Sequence, residues 1–267
     1  LSELLQGLEC EIVQKGFESE ITSLTSDSRK VTENGVFICI TGAVSDGHKY
    51  IPQVIQKKAG VIVIQDSALG NDETASLIKE IPSDITIVKA QNTRLAVMSA
   101  NYFGNPAKKL FTIGITGTKG KTTTTYMVKN VLDACGIKTG LIGTIETIIG
   151  DEHTPACNTT PESYDIHKSF AKMAEQGCKA VVMEVSSQGL KLDRTAGIMF
   201  DIGVFTNLEP DHIGPNEHAS FEEYLECKAK LFSQCKVGIV NADDEHTPKI
   251  LEHATCSIES YGISDKA

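Results

Sequence analysis

Residues 111–127 contain the clearest chemical signal in the chain: a short apolar run, a Gly-rich turn and a segment with helical periodicity. The turn reads TGTKGKT, in which Gly117 and Gly120 allow backbone N–H groups to converge on an anion. Lys121 adds a mobile positive charge, and Thr122 offers a hydroxyl to a nucleotide-bound Mg²⁺. This strand, loop and helix pattern predicts a polyphosphate-binding site.

One position departs from the strict G-x-x-x-x-G-K-[ST] pattern, because Ile115 stands where that pattern has glycine. We therefore interpret the loop as a relaxed phosphate-binding loop. An ordinary Gly-containing turn with an incidental lysine is the alternative, and the register of glycine, lysine and threonine argues against it. Ile115 and the lack of an N-K-x-D base-reading motif disfavour a simple GTPase or kinase.

Polar side chains that follow other apolar runs could serve the same phosphates. Glu184 ends the run VVME and could bind Mg²⁺, although a solvated strand-end glutamate is an equal alternative. His212 could bind a second divalent ion or orient a phosphate, although a lone histidine is more often structural. Asn241 could hydrogen-bond an adenine edge, and Asp243 or Asp244 could cap the next helix. Together they suggest metal-assisted phosphoryl transfer.

Two further segments are less specific by pattern alone. Lys228 lies on an amphipathic helix and is by pattern a surface lysine. Residues 158–161, NTTP, are typical of a loop and helix cap, with Pro161 in the first helical turn. The sequence shows no Ser/His/Asp triad, zinc cluster or paired catalytic carboxylates.

Size and charge limit the class of protein. A chain of 267 residues is long enough for two domains with their own cores. The net charge is −10 without a basic run, which argues against duplex nucleic acid as a partner. The eight cysteines lack C-x-x-C or zinc-ligand spacing, which indicates core thiols in a reducing compartment. No apolar stretch approaches the roughly 20 residues that span a bilayer. We expect a soluble, cytoplasmic monomer without a membrane partner.

The apolar and helical segments fall into two blocks. Short β and α segments alternate up to residue 103, which predicts a small α/β domain. Residues 104–106, GNP, break the pattern, so we assign residues 1–106 and 107–267 to two domains. Apolar strands separated by longer helices predict a mainly parallel sheet with helices on both faces in the second.

Within this second domain, helices are predicted over residues 122–135, 162–175 and 221–232, with another beginning near Asp244. The region between the strand at 139–142 and the second of these helices is expected to be a polar loop. The phosphate loop, Glu184 and the segment ending at His212 each follow a strand directly. They should therefore share one edge of the sheet.

Several motifs occur in a fixed order along the chain. In the second domain they are TGTKGKTTT, NTTP, MEVSSQGL, FTNLEPDH, YLECK and NADDE. This set resembles the Mur ligase family. In the first domain, DSRKV, GVFICITG and SDGHKYI are similar to the members of that family that extend UDP-N-acetylmuramoyl-L-alanyl-D-glutamate. The resemblance covers nearly the whole chain.

The resemblance implies an ATP-dependent ligase of peptidoglycan precursor synthesis. Members of the family convert the terminal carboxylate of a UDP-sugar peptide to an acyl phosphate, and the amine of an incoming amino acid then displaces phosphate. The amino acid here would be meso-diaminopimelate or L-lysine. The implied fold is a small α/β domain for the UDP-substrate followed by a mainly parallel-sheet, phosphate-loop domain for ATP.

The resemblance also assigns residues to each ligand. Those expected at ATP are Thr118, Lys119, Gly120, Lys121, Thr122, Thr123 and Asn241. Those expected at Mg²⁺ are Thr122, Glu184, His212 and Lys228, the last as a carbamoylated, anionic side chain. Those expected at the UDP-sugar peptide are Ser28 at the uridine and Asn158, Thr159, Thr160, Ser186 and Arg194 along the muramoyl peptide. The catalytic residues would be Lys121, Lys228 and His212.

Three departures from the family pattern bear on the identity of the acceptor more than on the chemistry of ATP. Lys119 replaces an asparagine and adds a cation beside the phosphates. Gln188 replaces a histidine, and Leu192 stands where a polar contact is common. Residues 213–218, IGPNEH, replace the usual L-D-[FY]-H-G.

Family members carry a C-terminal domain that supplies the amino-acid site, and we expect this sequence to stop before it, with the central domain incomplete. Such a chain should retain nucleotide or UDP-peptide affinity without forming the amide. One alternative is a related Mur-type ligase with another acceptor, such as a glutamate-adding relative. Another is a non-catalytic nucleotide-binding paralogue, against which the intact site residues argue.

Overall fold

The computed structural model describes the chain except residues 9, 19, 42–45, 71, 212, 215, 216 and 265–267, and except the side chains of 68, 69 and 92–94. The chain forms two compact units, Leu1–Tyr102 and Phe103–Ala267. Among the described residues, no helix is both long and apolar enough to cross a membrane.

The first unit is built on a five-stranded sheet with the order β1-β5-β4-β3-β2. Its strands are β1 (Glu11–Gln14), β2 (Leu24–Thr25), β3 (Val36–Ile38), β4 (Val61–Gln65) and β5 (Thr86–Ala90). Its α-helices are α1 (Ile51–Gln56), α2 (Asp72–Lys79) and α3 (Asn92–Tyr102). Among the pairings of these strands in the described residues, that of β1 with β5 is antiparallel and the others are parallel. All five residues of β4 are buried, as expected for a central parallel strand.

A buried histidine links two segments of the first unit beside β4. The Nδ1 atom of His48 lies 2.6 Å from Asp46 Oδ1, and its Nε2 atom accepts a hydrogen bond from the Gln65 backbone N–H at 3.3 Å. Because Nε2 accepts, Nδ1 carries the proton and donates to the carboxylate. The histidine thereby connects the 3₁₀ turn Gly47–Tyr50 to the end of β4.

The second unit contains an eight-stranded sheet with the order β13-β12-β11-β6-β10-β7-β8-β9. Its strands are β6 (Phe111–Thr116), β7 (Thr139–Ile142), β8 (Glu146–Ile149), β9 (Glu152–Pro155), β10 (Ala180–Glu184), β11 (Phe200–Phe205), β12 (Cys235–Asn241) and β13 (Ser257–Tyr261). Its α-helices are α4 (Lys121–Ala134), α5 (Ser163–Glu175), α6 (Ser187–Lys191), α7 (Phe221–Ala229) and α8 (Thr247–Ile250). The strands from β13 to β7 are parallel, as the apolar runs predict.

Helices cover both faces of this sheet, because alternate residues of a strand point to opposite sides. Val181 and Met183 of β10 belong to a large core that also contains Phe170 of α5 and Leu225 of α7. Val182, between them, packs on the other face in a smaller cluster with residues of α4. The predicted α/β architecture with a mainly parallel sheet is confirmed.

The prediction of a polar loop after β7 is wrong, since residues 146–155 form the antiparallel hairpin β8–β9. Ile148 and Ile149 are buried, whereas all four residues of β9 are exposed. A polar edge strand carries little hydrophobic alternation, so the sequence pattern did not reveal it. Gly150, with φ +59°, opens the two-residue turn and was the available signal.

Three helix boundaries also differ from prediction. Helix α7 ends at Ala229 and continues as the 3₁₀ turn Lys230–Ser233. Helix α8 begins at Thr247, later than predicted. Helix α5 begins at Ser163 with Glu162 as its N-cap, so Pro161 lies before the helix and not in its first turn.

His167 of α5 should make the stability of the second unit depend on pH. Its side chain is buried, and neither ring nitrogen has a hydrogen-bond partner. Burial lowers the pKa of His167 from 6.5 to about 4. The unfolded chain therefore takes up this proton at a higher pH than the folded chain does. The free energy of unfolding should fall by up to about 3 kcal/mol as the pH drops from about 6.5 to about 4.

The measurement is the midpoint of denaturant unfolding between pH 7 and pH 4. His167→Leu should flatten this pH dependence, because leucine adds no proton and leaves no unpaired nitrogen. His253→Leu, at an exposed site, is the matched control and should retain the wild-type slope. If the unfolding midpoint of His167→Leu fell between pH 7 and pH 4 as steeply as that of the wild type, His167 would not be the source of the pH dependence.

Candidate functional site

The carboxyl ends of four adjacent parallel strands define one edge of the second sheet. In the register of this sheet, Ile115 of β6 pairs with Glu184 of β10, and Thr116 pairs with Phe205 of β11. The loop after β6 therefore lies between Glu184 on one side and the residues after β11 on the other. Asn241 ends β12, the next strand along. The predicted shared edge is present.

The phosphate loop is held in shape by the residues that follow β11. The backbone N–H of Thr118 donates to Asn207 O at 2.8 Å, and that of Lys119 donates to Asn207 Oδ1 at 2.9 Å. Thr206 Oγ1 donates to Lys119 O at 2.8 Å. Gly117 adopts φ +148°, and a Cβ atom there would lie 1.9 Å from Thr206 Oγ1. Glycine is therefore required at this position of the loop.

Two lysine side chains converge on the carbonyl group of Gly117. Lys121 Nζ donates to Gly117 O at 2.8 Å and to Thr118 O at 3.0 Å. Lys228 Nζ donates to the same Gly117 O at 2.9 Å. The prediction of Lys228 as a surface lysine is wrong, since it is only 1% exposed. The buried side of α7 faces the sheet, and Lys228 lies on that side.

The environment of Lys228 disfavours its charged form. Burial, and secondarily the neighbouring Lys121 cation, hold the pKa of Lys228 well below that of an ordinary lysine. Burial also lowers the pKa of Lys121. The Lys228 Nζ atom lies 4.4 Å from the centroid of the Tyr224 ring. A bound anion such as phosphate would favour the charged form of both amines, since an opposite charge nearby raises the pKa of a lysine.

Glu184 is a buried carboxylate that accepts hydrogen bonds from hydroxyl groups and a backbone N–H. Its Oε2 atom accepts hydrogen bonds from Thr122 Oγ1 and Thr144 Oγ1, both at 3.0 Å. Its Oε1 atom accepts from the Thr144 backbone N–H at 2.8 Å. An anionic oxygen beside the hydroxyl of a phosphate-loop threonine fits Mg²⁺, which prefers oxygen ligands and keeps several waters.

Protein side chains alone would not complete a metal site here. In the part of the chain that the structure describes, no group of three or more His, Cys, Asp or Glu side chains could hold a metal ion. Thr122 and Glu184 would therefore hold Mg²⁺ together with phosphate and water oxygens. His212, predicted as a metal ligand, lies outside the described residues.

The loop before α5 packs against the end of β10. Thr160 Oγ1 lies 3.0 Å from both Glu184 O and Ser186 Oγ, and it accepts from the Ser186 N–H at 2.9 Å. Arg194 Nη1 donates to Thr160 O at 2.9 Å, and Arg194 also pairs with Glu162 at 2.5 Å. The structure thus brings Thr160, Ser186 and Arg194 together beside Glu184.

Other predicted site residues have varied surroundings. Thr159 is half-buried and lies 3.0 Å from Thr144, whereas Asn158 and Thr123 are exposed. Lys119 is exposed and forms an ion pair with Glu209.

Ser28 lies in the first unit, where its hydroxyl donates to Gln53 Oε1 at 2.8 Å.

Asn241 and the aspartates after it stabilise the loop beyond β12. Asn241 Nδ2 donates to Thr206 O at 2.9 Å. Asp244 accepts from the Leu208 N–H at 2.7 Å and from the His246 N–H at 2.9 Å. Neither Asp243 nor Asp244 caps α8, whose N-cap is His246. The capping interpretation is therefore wrong.

Two residues of the site were not assigned from the sequence. The hydroxyl of Tyr224 lies 3.0 Å from Thr118 Oγ1, and its ring lies beneath Lys228. Their spacing of four residues on α7 could have placed Tyr224 beside Lys228. Thr144 follows β7 at the same sheet edge, which was an available signal for its contact with Glu184.

Family models match both units of the chain. The model described as "Mur ligase family, catalytic domain" matches residues 20–103, and "Mur ligase middle domain" matches residues 115–267. The chain belongs to the Mur ligase family. The family predicted from the motifs is therefore confirmed.

Similar proteins carry related names. A Clostridium perfringens protein named UDP-N-acetylmuramoyl-L-alanyl-D-glutamate--2,6-diaminopimelate ligase is 41% identical in an alignment of 268 positions, which covers 100% of this chain and 52% of that protein. This Mur ligase chain thus spans about half the length of the curated relatives it matches.

Solved structures of Mur ligases share the fold. A UDP-N-acetylmuramoyl-L-alanyl-D-glutamate--2,6-diaminopimelate ligase superposes with a TM-score of 0.74 at 23% identity, over 95% of this chain and 52% of that one. The MurF ligase of Thermotoga maritima, solved in complex with ADP, gives 0.53 at 19% identity over 90% and 50%.

The close approach at Gly117 gives a testable prediction. Gly117→Ala should lower the free energy of unfolding by about 2–4 kcal/mol, because the new methyl group meets Thr206 and the backbone is strained. Gly136→Ala is the matched control, since Gly136 has φ +79° and an added Cβ atom would meet nothing within 4 Å beyond its chain neighbours. It should cost only about 1 kcal/mol. Equal losses in the two variants, measured by denaturant unfolding, would contradict the steric account.

Proposed function

We propose that this protein is an ATP-dependent ligase that adds a diamino acid to UDP-N-acetylmuramoyl-L-alanyl-D-glutamate in peptidoglycan precursor synthesis. The observation that carries the proposal is the convergence of the phosphate loop, buried Glu184 and the Thr159–Thr160 loop at one sheet edge. The name of the Clostridium perfringens relative favours meso-diaminopimelate over L-lysine as the added amino acid.

The phosphate loop would bind and orient the phosphates of ATP. Its backbone N–H groups and the Lys121 ammonium would neutralise charge as the terminal phosphoryl group moves to the substrate carboxylate. Thr118, Lys119, Gly120 and Thr123 would line the phosphates, with Asn241 near the adenine. Bound Mg²⁺, held by Thr122 and Glu184, would supply further positive charge at the phosphates.

We infer that Lys228 is carbamoylated. Its buried Nζ atom and lowered pKa favour the neutral amine, which is the form that attacks CO₂. A bond forms between nitrogen and carbon as one C=O π bond of CO₂ breaks and its electron pair moves to oxygen. The nitrogen then releases one proton, and the neutral side chain becomes an anion. That anion and His212 would then be further ligands of the metal, beside Thr122, Glu184 and the phosphate and water oxygens.

The family resemblance assigns two sets of residues to the UDP-sugar peptide. Ser28 would lie by the uridine, and Asn158, Thr159, Thr160, Ser186 and Arg194 would lie along the muramoyl peptide. The amino acid is the second substrate. All eight cysteines are free thiols, which supports a cytoplasmic location. We also infer that the protein acts as a monomer.

A second candidate is a related Mur-type ligase with a different acceptor. The departures at Gln188, Leu192 and residues 213–218 favour this candidate. They lie near α6 or in the segment before α7, whereas the phosphate loop retains its lysine and threonine. The difference would therefore affect the acceptor and leave the use of ATP unchanged.

The proposal is tested with the protein encoded by the complete gene. Phosphate release is measured with ATP, Mg²⁺ and UDP-N-acetylmuramoyl-L-alanyl-D-glutamate, and meso-diaminopimelate is compared with L-lysine. We expect release with one of these amino acids, and release with neither would overturn the assignment. The 267-residue chain should bind nucleotide without forming the amide, so amino-acid-dependent ADP release by it would contradict the account.

In the same assay, Lys228→Ala should abolish most activity, and short-chain carboxylic acids should restore part of it by replacing the carbamate anion. Lys236→Ala, at an exposed site on β12, is the control and should behave as the wild type. Activity unaffected by Lys228→Ala would remove the carbamate from the mechanism.

A further inference from the structure

Thr144 connects two parts of the candidate site. It follows β7, and its Oγ1 atom lies 3.0 Å from Glu184 Oε2 and 3.0 Å from Thr159 Oγ1. Its backbone N–H donates to Glu184 Oε1 at 2.8 Å. One side chain therefore contacts both the carboxylate proposed to hold Mg²⁺ and the loop proposed to bind the UDP-sugar peptide.

The backbone fixes Thr144 in this position. The N–H of Gly143 donates to Glu146 O at 3.1 Å, at the start of the β8–β9 hairpin. A Cβ atom on Gly143 would lie 2.5 Å from Glu184 Oε1, so a larger residue here would displace the carboxylate. On the other side of Glu184, Thr160 contacts the carbonyl of the same residue. Two loops thus enclose one carboxylate.

A single proton links the two contacts of Thr144. A threonine hydroxyl carries one hydrogen and cannot donate to Glu184 and Thr159 together. In both contacts Thr144 Oγ1 is the donor, so the bond to Thr159 is lost while the proton points to Glu184. With Glu184 Oε2 engaged by a cation, the Thr144 hydroxyl would donate to Thr159 instead. Thr159 Oγ1 would accept this bond, which would fix its position, and would keep its own proton for another acceptor.

We propose that Thr144 is a positioning residue that couples Mg²⁺ at Glu184 to binding of the UDP-sugar peptide through Thr159. The inference rests on the proposed function. Coupling between two binding sites is reciprocal. Mg²⁺ should therefore raise the affinity of the protein for the UDP-sugar peptide, and the peptide should raise the affinity for Mg²⁺ by the same factor. One additional hydrogen bond corresponds to about a fivefold change in affinity.

The test is calorimetric titration of UDP-N-acetylmuramoyl-L-alanyl-D-glutamate into the protein in the presence of ADP, with either Mg²⁺ or EDTA. The measured quantity is the ratio of the two dissociation constants, which does not depend on turnover. The wild type should show a ratio of about five. Thr144→Val, which keeps the shape and the backbone N–H, should bring the ratio close to one. Thr144→Ser should restore it.

Two further variants make the result specific. Thr159→Val should also lose the coupling, and the double variant should lose no more than either single variant. If Thr144→Val does not fold, the ratio measured on Thr159→Val tests the coupling in its place. Thr154→Val, on the exposed strand β9, is the control and should keep the wild-type ratio.

Failure of this inference can be separated from failure of the proposed function. A wild-type protein that binds neither ADP nor the UDP-sugar peptide would overturn both. Binding of both ligands without coupling, or coupling that survives in Thr144→Val and Thr159→Val, would overturn the role of Thr144 alone.

Discussion

The second unit depends on a carboxylate buried at the end of a central strand. Glu184 is 1% exposed, and burying such a group is costly unless hydrogen bonds or a cation compensate. Its partners come from the first turn of α4 and from the connection after β7. One carboxylate thereby fixes the phosphate-loop helix relative to the loops that would bind the substrate, before any cation binds.

Positive charge is concentrated at the Gly117 carbonyl of the phosphate loop. Lys121 and Lys228 both donate to the carbonyl oxygen of Gly117. Burial disfavours the charged form of both amines, and the charge of Lys121 further disfavours that of Lys228. A bound polyphosphate would relieve this repulsion, and so would conversion of Lys228 to an anion. These charges suit an anionic ligand at the lysines and a cation at the Glu184 carboxylate.

Much of this arrangement could be predicted from local sequence pattern. The strand, loop and helix around Lys121 are adjacent in sequence, and the apolar runs locate the parallel strands and their shared edge. The exposed strand β9 could not be predicted, because its residues are polar and its pairing is tertiary. The burial of Lys228 depends on which side of α7 faces the sheet, and the contact of Thr144 with Glu184 joins separate segments.

The most direct test of the account is the effect of Mg²⁺ on ADP affinity in Glu184→Gln. Glutamine has the shape of glutamate and can satisfy the same hydroxyl and N–H partners, so the fold should be retained. Calorimetry on the wild type should show that Mg²⁺ tightens ADP binding, and the variant should lose most of this effect while still binding ADP in EDTA. A Mg²⁺ effect of unchanged size in Glu184→Gln would contradict the role of Glu184 as the carboxylate that holds the metal.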